Sequence, residues 1–219
     1  MCAILGFTSP SLKKEQILPY FEKTKSRGPD DTRLEPAGSG MLGFHRLAIM
    51  GLHPEGMQPF HRGGDMAVCN GELYGFRPVK KALEAKGYVF ASDSDCEIIL
   101  PLWQEYGTEM FAGLDAEFAM IIYDSASDSL VAARDPIGIR PLFYGYLADG
   151  SIIFASEAKN LVGLCAHVFP FPPGHYYKDG KFVRYTDLTT VTRYSSDDLD
   201  TVTKKIREKL ISAVEKRLD

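Results

Sequence analysis

The sequence contains no long apolar run and no block of like charges. Apolar stretches such as Ala116–Tyr123 are far shorter than the roughly 20 residues that span a bilayer. The opening segment, MCAILGF, lacks the basic residues and the long apolar run of a secretory signal peptide. The net charge of −4 and the pI near 5.8 provide no attraction to nucleic acid or to an anionic membrane. These absences argue against a membrane-spanning, exported or nucleic-acid-binding protein.

Cysteines, metal-ligand patterns and phosphate-binding loops are also scarce. The four cysteines are scattered and form no CxxC pair. In a chain without an export signal, this predicts free thiols and a reducing, cytoplasmic location. The five histidines have no metal-ligand spacing, so no metal site is predicted. Since no Gly-rich phosphate loop occurs, ATP and magnesium are not expected to bind this chain.

The order of the predicted elements favours an α+β fold. The 219 residues suffice for one large domain or two small ones. A buried strand (Ala3–Phe7) and a helix (Ser11–Lys25) come first. Two strands, two helices and four more strands follow, and a hairpin turns at Asp179–Gly180. Because successive strands are joined by tight turns, we expect stacked antiparallel sheets with the helices outside.

The end of the chain, residues 191–219, has a different pattern. A polar linker leads to a capping-box pattern from Ser195 to Asp198, and an amphipathic helix follows. Its apolar side carries Leu199, Val202, Ile206, Leu210, Ala213 and Leu218. Two interpretations remain open: the helix leads toward a further domain, or it packs on its own domain.

The cysteine at position 2 has a property that no internal cysteine shares. On residue type alone, Cys2 is typical of a small buried side chain in a strand. If Met1 is removed, Cys2 carries both a thiol and a free α-amine, whose unperturbed pKa of about 7.7–8.0 suits a base near neutral pH. This pair is the cysteine counterpart of the activated amino-terminal threonine. Its position therefore makes Cys2 a candidate nucleophile.

Three further features are typical of a site for a charged substrate. Asn70 and Gly71 lie inside the strand-like segment MAVCNGELY, which favours a bulge or an oxyanion site over a hairpin turn. Arg46 adjoins an apolar segment, where a lone guanidinium is costly to bury. The cluster SDSDCE has more carboxylates than helix capping needs, so Asp95 is a candidate partner for an ammonium group. Each feature alone is also compatible with a turn, a cap or a salt bridge.

Six segments occur in an order that resembles the class II glutamine amidotransferases, whose glutaminases are N-terminal-nucleophile hydrolases. They are MCAILGF, RGPDD, HRLAI, NGELY, SDCE and RDPIGIRPL. RGPDD, NGELY and SDCE favour the asparagine synthetase type, whereas RDPIGIRPL is also similar to the phosphoribosyl-diphosphate type. The resemblance implies a four-layer αββα sandwich in a glutaminase domain of residues 2–190. Asp135 and Arg140 are interpreted as an internal ion pair or as a contact to another domain.

The resemblance also implies site roles. Cys2 would be the nucleophile after loss of Met1, and Asn70 with Gly71 would form the oxyanion hole. The implied glutamine-binding residues are Arg46 for the α-carboxylate, Glu72 and Asp95 for the α-amino end, and Leu47, Ala48, Ile49 and Met50 for backbone contacts.

The implied reaction converts L-glutamine to glutamate and ammonia through a thioester. The ammonia would serve an ATP-dependent synthetase domain, absent from this chain, that makes asparagine from aspartate. ATP and magnesium would bind that domain. A phosphoribosyl-diphosphate acceptor and a silent ligand-sensing or interaction module that retains Met1 are the alternatives. A homodimer is left open, because composition reveals no interface.

Overall fold

Two six-stranded sheets form the centre of the molecule in a computed structural model that describes residues 1–50 and 52–218. The strands are β1 (Ala3–Thr8), β2 (Asp31–Ala37), β3 (Gly40–Arg46), β4 (Phe60–Arg62), β5 (Asp65–Leu73), β6 (Ala116–Asp124), β7 (Ser129–Arg134), β8 (Phe143–Tyr146), β9 (Ile152–Ala155), β10 (Val168–Pro170), β11 (His175–Lys178) and β12 (Lys181–Arg184). The first sheet has the order β10-β8-β9-β1-β3-β2, and the second has β12-β11-β7-β6-β5-β4. Neighbouring strands pair antiparallel in both sheets, as predicted.

Helices cover the outer faces of the sheets. They are α1 (Lys14–Phe21), α2 (Phe76–Ala85), α3 (Ile99–Tyr106) and α4 (Met110–Gly113). A further helix, α5 (Leu199–Glu215), has no buried residue and belongs to neither outer layer. Ile17 and Phe21 of α1 pack against Leu5 and Phe7 on the outer face of the first sheet. The second sheet is covered by side chains of α2, α3 and α4, including Leu83, Trp103 and Phe111.

A third apolar core lies between the two sheets. Because side chains alternate along a strand, β1 directs Leu5 and Phe7 toward α1 and Ile4 toward the facing sheet. Leu42 and Phe44 of β3 lie in this inner core, as do Met66 and Val68 of β5 and Ile121 of β6. Three cores separate four layers, which confirms the predicted αββα sandwich.

Three local predictions have different outcomes. The hairpin at Asp179–Gly180 is confirmed, with both residues at positive φ (50° and 76°) as a type I′ turn requires. The first helix is shorter than predicted, because a 3₁₀ segment, Glu22–Arg27, replaces its second half. The capping box at Ser195 is wrong, because Asp198 caps α5 by accepting the Thr201 N–H at 2.8 Å.

Helix α5 has an exposed apolar side. Leu199, Ile206 and Leu210 are 61–79% exposed, and so is Leu218 just beyond the helix. The C-terminal end of the helix approaches the sandwich, where Lys216 pairs with Asp115 at 2.6 Å. The division into a domain of residues 2–190 and a connecting segment stays a prediction. Within the described residues, no helix is both long and apolar enough to cross a bilayer.

Candidate active site

The predicted site residues lie where the inner core reaches one edge of the sandwich. Cys2 lies just before β1, two positions from the inward-facing Ile4, and Arg46 ends β3 two positions after Phe44. The same alternation places Asn70, two positions after Val68, on the inner face of β5. Strand periodicity therefore carries three polar side chains to one end of the apolar layer.

A cavity of about 50 Å³ joins these residues. Nine of the ten predicted residues line it: Cys2, Arg46, Leu47, Ile49, Met50, Asn70, Gly71, Glu72 and Asp95. Ala48 is the exception, because it lies outside the lining and its N–H donates to Asp30 Oδ2 at 2.8 Å. Met1 and Arg140 also line the cavity. The geometry thus brings the candidates together, while their individual roles stay predictions.

The Cys2 thiol is held by backbone groups. Its Sγ lies 3.5 Å from the Leu47 carbonyl oxygen and 3.4 Å from the Leu47 nitrogen. Arg27 donates from Nε to the Cys2 carbonyl oxygen at 3.0 Å. Burial raises the pKa of the thiol, and the bond to the Leu47 backbone acts in the opposite direction. Cys2 therefore needs a base to become a nucleophilic thiolate near neutral pH.

Asn70 presents a donor without a partner. Its side-chain nitrogen is buried and makes no hydrogen bond in the part of the chain that is described. A buried unpaired donor costs free energy, so this amide is poised for a group that enters the cavity. Strand pairing continues without a bulge through Asn70 and Gly71. Glycine is required at position 71 because a Cβ would lie 2.6 Å from the Glu117 carbonyl oxygen.

Opposite charges flank the thiol. Arg46 is 7% exposed and donates to the His53 carbonyl oxygen at 3.2 Å. Asp95 is buried, and one of its oxygens accepts the Leu73 N–H at 2.7 Å. Burial raises the pKa of Glu72 to about 7, with a further increase from Asp95 and an opposing effect of Arg140. Two arginines and two acids thus line a cavity that contains a thiol.

The other acids of SDSDCE do not line this cavity. Glu97 accepts the N–H groups of Ala91 and Ser92 at 2.6 and 2.8 Å, which fixes the loop before α3. Asp93 is an exposed partner of Lys80 at 3.9 Å. Asp95 is therefore the carboxylate of this cluster that reaches the site.

Three supporting residues were not predicted from the sequence. Gln58 bonds both backbone groups of Cys69, at 2.6 and 3.2 Å, and thereby anchors β5 directly before Asn70. Arg27 and Asp30 both belong to the RGPDD region and hold Cys2 and Ala48. Gly28 permits this arrangement, because a Cβ there would lie 2.2 Å from the His45 carbonyl oxygen. The RGPDD motif was the sequence signal for Arg27 and Asp30. No sequence signal indicated Gln58.

The sequence interpretation of Asp135 and Arg140 as an internal ion pair is wrong. Among the described residues, the Arg140 guanidinium pairs with Glu117 at 2.7 Å. The Asp135 carboxylate instead accepts backbone N–H groups of its own loop, including that of Arg140 at 3.0 Å. The contact is thus between side chain and backbone, because the loop curls around Asp135.

Within the described residues, no cluster of three or more His, Cys, Asp or Glu side chains is arranged to hold a metal ion. All four cysteines are free thiols.

Glu72 makes the stability of the fold depend on pH. Its pKa is about 7 in the folded chain against an ordinary value near 4.5, so the folded state holds an extra proton between these values. Stability therefore falls as pH rises through this window. We expect Glu72→Gln to be more stable than wild type at pH 8 by roughly 1–2 kcal/mol, after discounting for partial solvent screening, and equally stable at pH 4.5.

Urea unfolding across this pH range measures the effect. The exposed Glu109→Gln is the matched control and follows the wild-type profile. Identical pH profiles for Glu72→Gln and wild type would contradict the raised pKa.

Comparison with known proteins identifies the family. A family model described as a glutamine amidotransferase domain matches residues 1–176. The chain belongs to this family. This glutamine amidotransferase domain is 38% identical over 194 residues to a probable glutamine-hydrolysing asparagine synthetase from Dictyostelium discoideum. It is also 39% identical over 178 residues to an asparagine synthetase from Oryza sativa subsp. japonica.

Each alignment covers most of this chain but only a part of the relative. The matches cover 84% and 80% of this chain but only 35% and 30% of the relatives. The glutamine amidotransferase domain therefore corresponds to about a third of these proteins.

Solved structures agree on the fold. Glutamine phosphoribosylpyrophosphate amidotransferase from B. subtilis has a TM-score of 0.68 and 20% identity, covering 84% of this chain and 49% of its own. At that identity the likeness supports the architecture alone.

Proposed function

We propose that this chain hydrolyses L-glutamine to glutamate and ammonia through a thioester on Cys2. The observation that carries the proposal is the shared cavity, in which the Cys2 thiol lies with Arg46, Asp95 and the unpaired amide of Asn70. Family membership supports the same reaction.

The first half of the reaction forms the thioester. With Met1 removed, the Cys2 α-amine takes the thiol proton, and Sγ attacks the side-chain amide carbon of glutamine. The carbonyl electron pair moves onto oxygen, where the Asn70 amide and the Gly71 N–H stabilise the negative charge. The carbon–nitrogen bond then breaks, and the protonated amine returns its proton to the departing ammonia.

The second half regenerates the thiol. Water adds to the thioester carbon while the Cys2 amine accepts one of its protons. The carbon–sulfur bond breaks to release glutamate, and the sulfur regains its proton. Nucleophile and base thus act from one residue in both halves.

The charges beside the thiol suit a free amino acid. Arg46 would bind the α-carboxylate, and Glu72 with Asp95 would accept hydrogen bonds from the α-ammonium. Leu47, Ile49 and Met50 would supply the adjoining wall. Fixing both charged groups orients the side-chain amide toward Sγ.

The position of Met1 supports the proposal that this residue must be removed before glutamine can bind and react. It lines the cavity, whose 50 Å³ has room for only a few water molecules. Release of Met1 would both free the Cys2 amine and make space for the substrate.

The relatives support asparagine synthesis as the use of the ammonia. Those at 38–39% identity are named glutamine-hydrolysing asparagine synthetases, whereas the phosphoribosylpyrophosphate amidotransferase is 20% identical. We infer that the full-length protein passes ammonia to an ATP-dependent domain, which would hold ATP and magnesium and convert aspartate to asparagine. Helix α5, with its exposed apolar side, would connect to that domain. Cofactor independence of the glutaminase and a cytoplasmic location also remain predictions.

The test combines mass analysis with turnover. We expect the purified protein to lack one methionine mass and to release glutamate and ammonia from glutamine in equal amounts. A glutamine-like diazoketone should block turnover and add its mass to the peptide that contains Cys2. Retained Met1 with glutamine binding and no ammonia release would contradict the proposal and favour a ligand-sensing module.

A further inference from the structure

Arg140 enters the candidate active site, although the sequence suggested no role for it there. Arg140 lines the cavity that contains Cys2, and its side chain is only 10% exposed. One end pairs with Glu117 at 2.7 Å. The buried Nε has no hydrogen-bond partner in the described part of the chain.

The backbone around Arg140 is fixed, so the guanidinium is delivered to a defined place. Asp135 Oδ1 accepts the N–H groups of Ile137, Gly138 and Ile139 at 2.6–3.0 Å, and Asp135 Oδ2 accepts that of Arg140 at 3.0 Å. Arg134 donates from Nε to the Arg140 carbonyl oxygen at 2.7 Å. The loop after β7 is therefore held by the Asp135 carboxylate at its N–H groups and by Arg134 at the Arg140 carbonyl oxygen.

Arg140 faces a cluster of acids. Glu117 of β6 pairs directly with Glu72 of β5 in the antiparallel register, and like charges in such a pair repel each other. Asp95 acts on Glu72 from the turn before α3. Arg46 lines the same cavity as Glu72. The groups that interact electrostatically with Glu72 include Tyr74, Asp95, Cys96, Glu117 and Arg140. Arg140 is the cation among these five.

This arrangement separates two functions of the acids. Glu117 binds Arg140 directly at 2.7 Å. Glu72 instead lines the cavity, where its carboxylate can meet the ammonium group of a substrate. An ionised Glu72 accepts hydrogen bonds from an ammonium group, and a protonated Glu72 offers one fewer acceptor and no charge.

We propose that Arg140 is a positioning residue for the substrate's α-ammonium group and acts by keeping Glu72 ionised. The inference rests on the proposed glutaminase function and assigns a role to a residue outside the predicted set. Arg140 neutralises the pair Glu72–Glu117, so Glu72 is free to bind the ammonium. The role is electrostatic, and it should matter most when Glu72 is close to its titration midpoint.

The test measures kcat and KM for glutamine from pH 6 to pH 9 in Arg140→Met. Removing a nearby cation raises a carboxyl pKa by about one unit or more. From a value of about 7, a one-unit rise lowers the ionised fraction about fivefold at pH 7 and less than twofold at pH 9. We expect KM to increase by these factors while kcat changes little.

Two further variants separate charge from packing. Arg140→Lys keeps the charge, so KM should stay within about threefold of wild type. Arg140→Met with Glu117→Gln removes one cation and one anion and should recover most of the lost affinity. Arg33→Met, at a partly exposed arginine paired with Glu35 at 4.0 Å, is the matched control.

The outcomes distinguish this inference from the proposed function. A KM increase of the same size at pH 7 and pH 9, or no recovery in the double variant, would overturn the role of Arg140. If wild type lacks glutaminase activity, the proposed function fails instead. Glutamine titrations of Cys2→Ala, with and without Arg140→Met, then test the same pH-dependent affinity by calorimetry.

Discussion

Cys2→Ala should abolish glutamine hydrolysis and leave glutamine binding intact. Without the sulfur, no thioester forms, and loss of a covalent nucleophile costs roughly 10⁵-fold or more in kcat. The groups proposed to bind the α-carboxylate and the α-ammonium are unchanged, because Arg46, Glu72 and Asp95 lie on other elements. Ammonia release measures the first effect, and calorimetric titration with glutamine measures the second.

Cys165 provides the matched control for this substitution. It is a free cysteine that packs against the outer core beside α1, away from the cavity. Cys165→Ala should therefore keep wild-type turnover and wild-type labelling by the diazoketone. Continued ammonia release by Cys2→Ala, or labelling of another cysteine in its place, would be incompatible with the proposed thioester.

Asn70→Ala should lower kcat by about 10²–10³-fold, which is the usual cost of losing one oxyanion donor. KM should change little, because the Asn70 amide is proposed to bind the side-chain carbonyl oxygen of glutamine most strongly when that oxygen carries negative charge. Steady-state kinetics with glutamine measure both constants. An increase in KM with unchanged kcat would assign Asn70 to substrate binding instead.

Stability separates this catalytic prediction from simple damage to the core. The Asn70 side-chain nitrogen has no hydrogen-bond partner within the described chain, so truncating it breaks no such bond. Asn160, also buried, donates from its side-chain nitrogen to Tyr20, Phe21 and Thr24 at 2.8–3.3 Å. We expect Asn160→Ala to lose roughly 2 kcal/mol of unfolding free energy and to retain its kcat. Asn70→Ala should instead retain its unfolding free energy and lose kcat.

The site was predictable to the extent that its signals are local. Cys2 was identified from its position beside the removable Met1, and Asn70–Gly71 from an Asn-Gly pair inside a strand pattern. Arg140 was not predicted as a site residue, because its partner Glu117 is 23 positions away in the sequence. The two side chains become neighbours only when the sheet forms. Gln58 was missed for the same reason, since an isolated glutamine has no sequence signal for pairing with Cys69.

Local pattern also explains which fold predictions succeeded. Tight turns such as Asp179–Gly180 specify antiparallel neighbours, and alternation specifies which side chains face a core. Both depend on residues close together in the chain. The 3₁₀ segment Glu22–Arg27 was not predicted, because tertiary contacts such as the bond from Arg27 to Cys2 help to hold it.

Short-range patterning was enough to predict stacked antiparallel sheets and the candidate nucleophile, and the order of six short segments carried the resemblance that implied the four-layer sandwich and the glutaminase site. Only the tertiary structure decided which charges share the cavity, that Asp93 and Glu97 lie outside it, and that Arg140 lies within it. The physical reason is that electrostatic interactions and burial depend on distances in space, which the packing of two sheets establishes between residues far apart in the chain.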